Sequence, residues 1–164
     1  MEPFEDIMKT ADLIDDHADK LQLVHLPFRK FGTKEFVGGV IETVKCFEDN
    51  STIRELLKSP GEGRILVVDG GASTRIAILG DRMAGWAIDN GWQGLIINGA
   101  IRDSVEVDEM DIAVFALGTS PVKSAKENWG KFGCEISFGG VIFESGQYVY
   151  ADADGVLYSP VNLV

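Results

Sequence analysis

The chain has 164 residues, 45% of them hydrophobic and 25% charged, a composition that supports one globular domain over residues 1–164 and argues against disorder. Its 26 acidic and 15 basic residues leave a net charge of −11, and no Lys/Arg cluster offers the basic face that gripping a phosphate backbone requires, which argues against direct nucleic-acid binding. No apolar stretch approaches the roughly 18 residues of a membrane span, and the opening segment MEPFEDIMKTADLIDDHADK is acidic and amphipathic rather than a signal peptide, so a cytoplasmic protein is expected.

In chain order, residues 9–20 (KTADLIDDHADK) read as a short helix that Thr10 could cap. Val24 to Phe28 and Val37 to Phe47 carry β-branched and aromatic residues and read as strands. In EDNSTIRELLKS, Asn50 or Ser51 can cap a second helix, with Thr52 and Glu55 at capping-box spacing. Ile65 to Val68 is a continuous apolar run ended by Asp69-Gly70-Gly71, which suits a strand covered on both faces. A helix is expected from about Asp81 to Asn90-Gly91, then a second buried strand in LIINGAIRD (95–103), a helix-like acidic stretch at 106–111, and a third strand in IAVFALG. This alternation is the mark of parallel βαβ units. After residue 135, apolar pieces separated by Gly-Gly, Ser-Gly and Asp-Gly predict antiparallel hairpins, so the fold class is α/β with a mixed sheet.

Several residue groups can be weighed for chemistry. Cys46 and Cys134 are far apart and form no CxxC, so they read as two thiols in a reducing compartment. Asp152-Ala153-Asp154-Gly155 resembles the start of a calcium loop but lacks the closing Glu, and reads as a turn between strands. His17 and His25 lack the spacing of a metal pair, and Trp86, Trp92 and Trp129 read as core. Lys45 is the strand lysine with apolar neighbours that a Schiff-base mechanism would need.

The most informative stretch is LIINGAIRDS, where a buried strand ends on adjacent Arg102 and Asp103. Ligands of open α/β sheets bind beyond the carboxyl ends of the strands, beside helix starts such as Gly80-Asp81-Arg82-Met83. Arg102 could bind a substrate carboxylate bidentately, Asp103 could supply a hard oxygen to Mg²⁺, and backbone N–H groups of Gly80 to Met83 could hold an anion. Such a site takes a small α-keto acid. The alternative is structural: Arg102–Asp103 as a surface salt bridge and Asp81 as a helix cap.

Asp81, twenty intervening residues and Arg102-Asp103, with NGW at 90–92 and NGAIRD at 98–103, resemble the signature of metal-dependent 4-hydroxy-4-methyl-2-oxoglutarate aldolases. VKCFEDN, RILVVDGG, FGGVIFESG and YADADGV resemble blocks of the regulator of ribonuclease activity A family, the sister branch. The resemblance implies a swivelling β/β/α fold with βαβ units and a C-terminal β-hairpin region, assembled as homotrimers, sometimes paired into hexamers, with sites between subunits. It implies Gly80, Asp81, Arg82 and Met83 around the substrate carboxylate, Arg102 against substrate and enolate, Asp103 on Mg²⁺ or Mn²⁺, and Asp81 holding a water on that metal. Retention of all three charged positions implies a catalyst, with oxaloacetate decarboxylation through the same pyruvate enolate. The non-catalytic alternative is a protein that binds and restrains a ribonuclease.

Overall fold

The computed structural model describes residues 8–164; residues 1–7, part of the acidic opening segment, lie outside the described residues. In chain order the elements are α1 (Thr10–His17), β1 (Gln22–Leu23), β2 (Arg29–Phe31), β3 (Phe36–Lys45), α2 (Ser51–Leu57), β4 (Ile65–Asp69), β5 (Ala77–Leu79), α3 (Asp81–Asp89), β6 (Gly94–Ile101), α4 (Ser104–Asp108), β7 (Ala113–Thr119), β8 (Lys131–Phe132), β9 (Ile136–Phe138), β10 (Val141–Phe143), β11 (Tyr148–Asp152) and β12 (Gly155–Ser159). Among the described residues, no helix is long and apolar enough to cross a membrane.

The centre is parallel, β3-β4-β6-β7, as the βαβ pattern requires. Strand β4 buries Ile65 to Val68 and β6 buries all eight of its residues, because both faces are covered. On one face, Ile53 and Leu57 of α2, Met83, Ala84 and Ala87 of α3 and Val107 of α4 pack on Leu66, Val68, Leu95 and Ile97. On the other, Ile65, Val67 and Ile96 meet Phe138, Val141 and Phe143 of the β9–β10 hairpin. That hairpin turns on Gly139 and Gly140, both at positive φ (60° and 79°), as its two-residue loop demands.

The full order is β1-β12-β11-β3-β4-β6-β7-β2, a mixed α/β arrangement. Strands β1 and β2 occupy opposite edges, yet only residues 24–28 join them. Eight strands laid flat at about 4.8 Å spacing would separate those edges by roughly 34 Å, whereas the connection spans about 20 Å at most. The sheet therefore curls until its edges approach. This also corrects the expected strand at Val24 to Phe28: the Leu26 N–H donates to the Val24 carbonyl (3.0 Å) and the Phe28 N–H to the Leu26 carbonyl (2.9 Å). These tight i→i+2 turns cross between edges rather than extend one.

Two further boundaries differ from expectation for local reasons. Thr10 is the first residue of α1 rather than its cap; its N–H and Oγ1 both bond the Asp152 carboxylate (2.8 and 2.7 Å). Asp152 and Asp154 form the expected turn, the Asp154 N–H donating to Asp152 Oδ1 at 2.9 Å. Strand β6, expected to reach Asp103, runs through Asn98-Gly99 and ends at Ile101. Asp69 of β4 is opposite Asn98, and beyond it β6 pairs instead with β5, Ala77 opposite Ala100. The Asn98 carbonyl takes the Gly70 and Ala72 N–H groups (3.0 and 3.1 Å), tying off β4 at the exchange.

Candidate active site

The exchange of partners along β6 sets up the site. Past Asn98 the strand runs between β5 and β7, with the Arg102 N–H bonded to the Leu79 carbonyl and the Ser120 N–H to the Ile101 carbonyl (each 2.9 Å). Arg102 and Asp103 thus emerge from a backbone fixed on both sides. Asp103 then takes a left-handed conformation, φ 55° and ψ 41°, and caps α4, its carbonyl accepting from Val107 (2.9 Å). Asp tolerates this region better than most residues, and non-glycine residues held there concentrate at functional positions.

Arg102 and Asp103 are not partners. Among the described residues the ion pairs are Arg64–Glu42 (3.1 Å) and Arg75–Glu48 (2.6 Å). Asp103 Oδ2 instead accepts the N–H of Asp81 at 3.1 Å, placing a carboxylate on the first turn of α3. The structural alternative, in which Asp81 caps this helix, does not hold: Gly80 is the N-cap and Asp81 is the first helical residue. Gly80 has a structural reason, since a Cβ there would lie 2.8 Å from Asp103 Oδ2 and 3.5 Å from Arg102 Cγ.

These groups line one cleft of about 270 Å³ at the carboxyl end of the parallel strands. Gly80, Asp81, Arg82 and Met83 come from α3, Arg102 and Asp103 from the end of β6, and Asn50 and Arg54 from α2 and its start. Lys123 and Lys126 come from the segment after β7, which is pinned by Ala77 N–H to the Val122 carbonyl (2.8 Å) and Ala125 N–H to the Glu48 carbonyl (3.1 Å). Five cations and two carboxylates therefore face one cavity in a protein of net charge −11. None of the five belongs to an ion pair among the described residues. Four of them, Arg82, Arg102, Lys123 and Lys126, are exposed, and together the five give the cleft a positive field that suits an anion.

Sequence reasoning missed Asn50, Arg54, Lys123 and Lys126 here. Arg54 had a readable signal, being three residues beyond Ser51 on a helix that must follow β3; the two lysines lie in a segment with no periodicity. Asn50 is 7% exposed, its Oδ1 has no partner, and its Nδ2 reaches only the Met83 sulfur at 3.2 Å.

Of the other candidates, Trp86 lines the cleft and the rest lie away from it. His17 ends α1, His25 is exposed on the crossing segment, and Lys45 is exposed at the end of β3. The reading of three core tryptophans holds for Trp92, 2% exposed, and fails for Trp129, 70% exposed. Trp86 is half-buried and ringed by Lys58, Arg54 and Arg82 at 4.5, 5.4 and 5.9 Å from its centroid, because cations stack on an exposed indole face. Cys46 is buried, and burial with Asp49 and Asp69 nearby pushes its thiol up to about 12.

The family described as RraA-like, Aldolase/RraA, matches residues 10–158, and the chain belongs to it. A relative from Hahella chejuensis, provisionally named a 4-hydroxy-4-methyl-2-oxoglutarate aldolase, is 48% identical over 154 residues, covering 94% of each chain. A solved structure from Geobacillus kaustophilus, titled S-adenosylmethionine:2-dimethylmenaquinone methyltransferase, is 51% identical with a TM-score of 0.91 and covers 95% of this chain and 97% of its own. The RNA-processing inhibitor RraA from Thermus thermophilis is 36% identical, also at a TM-score of 0.91, covering 100% and 96%.

Proposed function

We propose that the chain is a divalent-metal-dependent aldolase that cleaves 4-hydroxy-4-methyl-2-oxoglutarate and related 4-hydroxy-2-oxo acids to pyruvate, and that decarboxylates oxaloacetate at the same site. The observation that carries this is the division of labour at the end of β6. Asp103 is turned to the start of α3 while Arg102 lines the cleft without a carboxylate partner.

In this reading the α-keto acid end of the substrate lies against Arg102 and the amides of Gly80 to Met83, which meet its carboxylate as a helix start meets any anion. Loss of the C4 hydroxyl proton, to a base organised by Asp81, turns C4 into a ketone as the C3–C4 bond breaks. The bonding pair moves onto the keto-acid fragment as an enolate, which Arg102 steadies, and protonation at C3 completes two pyruvates. Oxaloacetate loses carbon dioxide into the same enolate.

The residues fit a divalent cation. Asp103 Oδ2 is taken by the Asp81 amide, and Oδ1 accepts no hydrogen bond among the described residues. The described residues contain no cluster of three His, Cys, Asp or Glu side chains, so an ion held here would keep mostly water and substrate oxygens, as Mg²⁺ commonly does. Bound at Asp103, Mg²⁺ or Mn²⁺ supplies a Lewis acid for the keto oxygen. A homotrimer, or a hexamer of two, with sites between subunits is part of this proposal.

The test is pyruvate release. Arg102→Ala and Asp103→Ala should abolish it, and EDTA should silence wild type until Mg²⁺ is added back. Full activity in EDTA would overturn the metal mechanism, and borohydride trapping with pyruvate would point to a lysine. The Thermus relative, titled an RNA-processing inhibitor, supports a second reading as a non-catalytic regulator, which we take to act by binding a ribonuclease. A protein inactive on every oxo acid that captures the ribonuclease would reverse the ranking.

A further inference from the structure

Binding an α-keto acid end uses Arg102 and the start of α3, and leaves Lys123 and Lys126 without a role and Arg54 with its stacking on Trp86 alone. All three line the same cleft, and none is in an ion pair among the described residues. Their backbone is not loosely placed. Arg54 sits on α2, the Asn50 N–H bonds the Ala125 carbonyl at 3.3 Å, and Ser124 between the lysines is buried. Ser120 Oγ donates to the Arg75 carbonyl (2.7 Å) and accepts from the Val122 N–H (3.2 Å), fixing the start of the segment. A fixed scaffold presenting unpaired cations into a cavity is the arrangement that reads an anion by position.

We infer that Arg54, Lys123 and Lys126 form a second anion subsite, which recognises the distal carboxylate of a dicarboxylic oxo acid and makes this cleft selective for oxo diacids over oxo monoacids. The inference rests on the aldolase reading for the first subsite. The two ends are divided between elements: the keto-acid end belongs to α3 and the end of β6, the distal carboxylate to α2 and the segment after β7. The role is specificity: the distal carboxylate is borne on C4, the carbon released as the second pyruvate, so these side chains hold the departing fragment rather than the enolate.

Calorimetry in Mg²⁺ with two uncleavable probes tests it. 2-Oxoglutarate carries the distal carboxylate, and 2-oxopentanoate has the same five-carbon chain without it. Wild type should bind 2-oxoglutarate at least about tenfold more tightly, the scale of one charge-assisted contact. In Arg54→Gln, and separately in the double variant Lys123→Ala/Lys126→Ala, that ratio should collapse toward one with 2-oxopentanoate affinity unchanged. In parallel, pyruvate release from 4-hydroxy-2-oxopentanoate should survive in both variants while that from 4-hydroxy-4-methyl-2-oxoglutarate falls through KM. Circular dichroism confirms that the variants, altered outside the core, are folded. Equal binding of the two probes to wild type, or a ratio unchanged in both variants, would overturn the subsite and leave the aldolase standing. Binding of neither probe to wild type would overturn both.

Discussion

The carboxylate of Asp103 accepts the backbone N–H of Asp81 at 3.1 Å, across 22 residues of sequence. The contact joins the end of β6 to the start of α3, so the residue proposed to hold the metal also fixes the helix start proposed to hold the substrate. Asp103→Asn keeps an acceptor for that amide and tolerates the left-handed backbone, where Ala would add strain. Asp103→Asn should therefore retain the fold and melting temperature while Mg²⁺ affinity and pyruvate release fall by about 100-fold or more. Near-normal Mg²⁺ binding by titration calorimetry would contradict it.

Arg102→Lys conserves charge and loses the planar two-pronged donor. Activity should fall by roughly 100-fold or more, most of the way to the abolition expected of Arg102→Ala, because position rather than charge is what the enolate requires. Steady-state kinetics on both variants decides this, and a lysine variant within a few-fold of wild type would show that charge alone suffices.

The Glu48 carboxylate accepts from Arg75 Nε and Nη2 (2.6 and 2.7 Å) and from Ser73 Oγ (2.7 Å). The Arg75 bonds come first in lowering its pKa from 4.5 to about 2. A depressed folded-state value means the clamp stabilises fully above pH 4.5 and is lost as pH falls toward about 2. Glu48→Gln should melt below wild type near neutral pH, with the gap closing through that acid window. The gap should be small and shrink with salt, since Arg75 is 78% exposed.

Cys46 should be silent toward a thiol reagent at pH about 8, where a thiol held near 12 contributes almost no thiolate. Native protein should titrate at most one thiol, Cys134, which is half-buried, and unfolding should release the second. Two fast thiols in the native state would show that the core around β3 opens.

The legible parts of the fold are those where a short stretch dictates its own environment. Ile65 to Val68 and Leu95 to Ile97 announce strands covered on both faces, and Gly139-Gly140 and Asp154-Gly155 announce hairpins through backbone demands. What escaped depends on distant partners. Strand β5 has three residues and exists because β6 outlasts β4. Strands β1 and β2 are edges defined by β12 and β7, and the curl that joins them has no local signature. At the cleft, Arg102 and Asp103 stood out as a strand end and Asp81 as a helix start, whereas Lys123 and Lys126 reach it through a loop pinned to Glu48 and Ala77. Trp129 was misplaced because its apolarity outweighed a setting of polar neighbours.

Gly80 contributes no functional group, yet every other residue there would drive a β-carbon against the Asp103 carboxylate. Substitution at this position changes the geometry of two charged neighbours while leaving both in place. A residue chosen for what it lacks thus leaves the Asp103 carboxylate room to meet the start of α3, where the sequence looks emptiest.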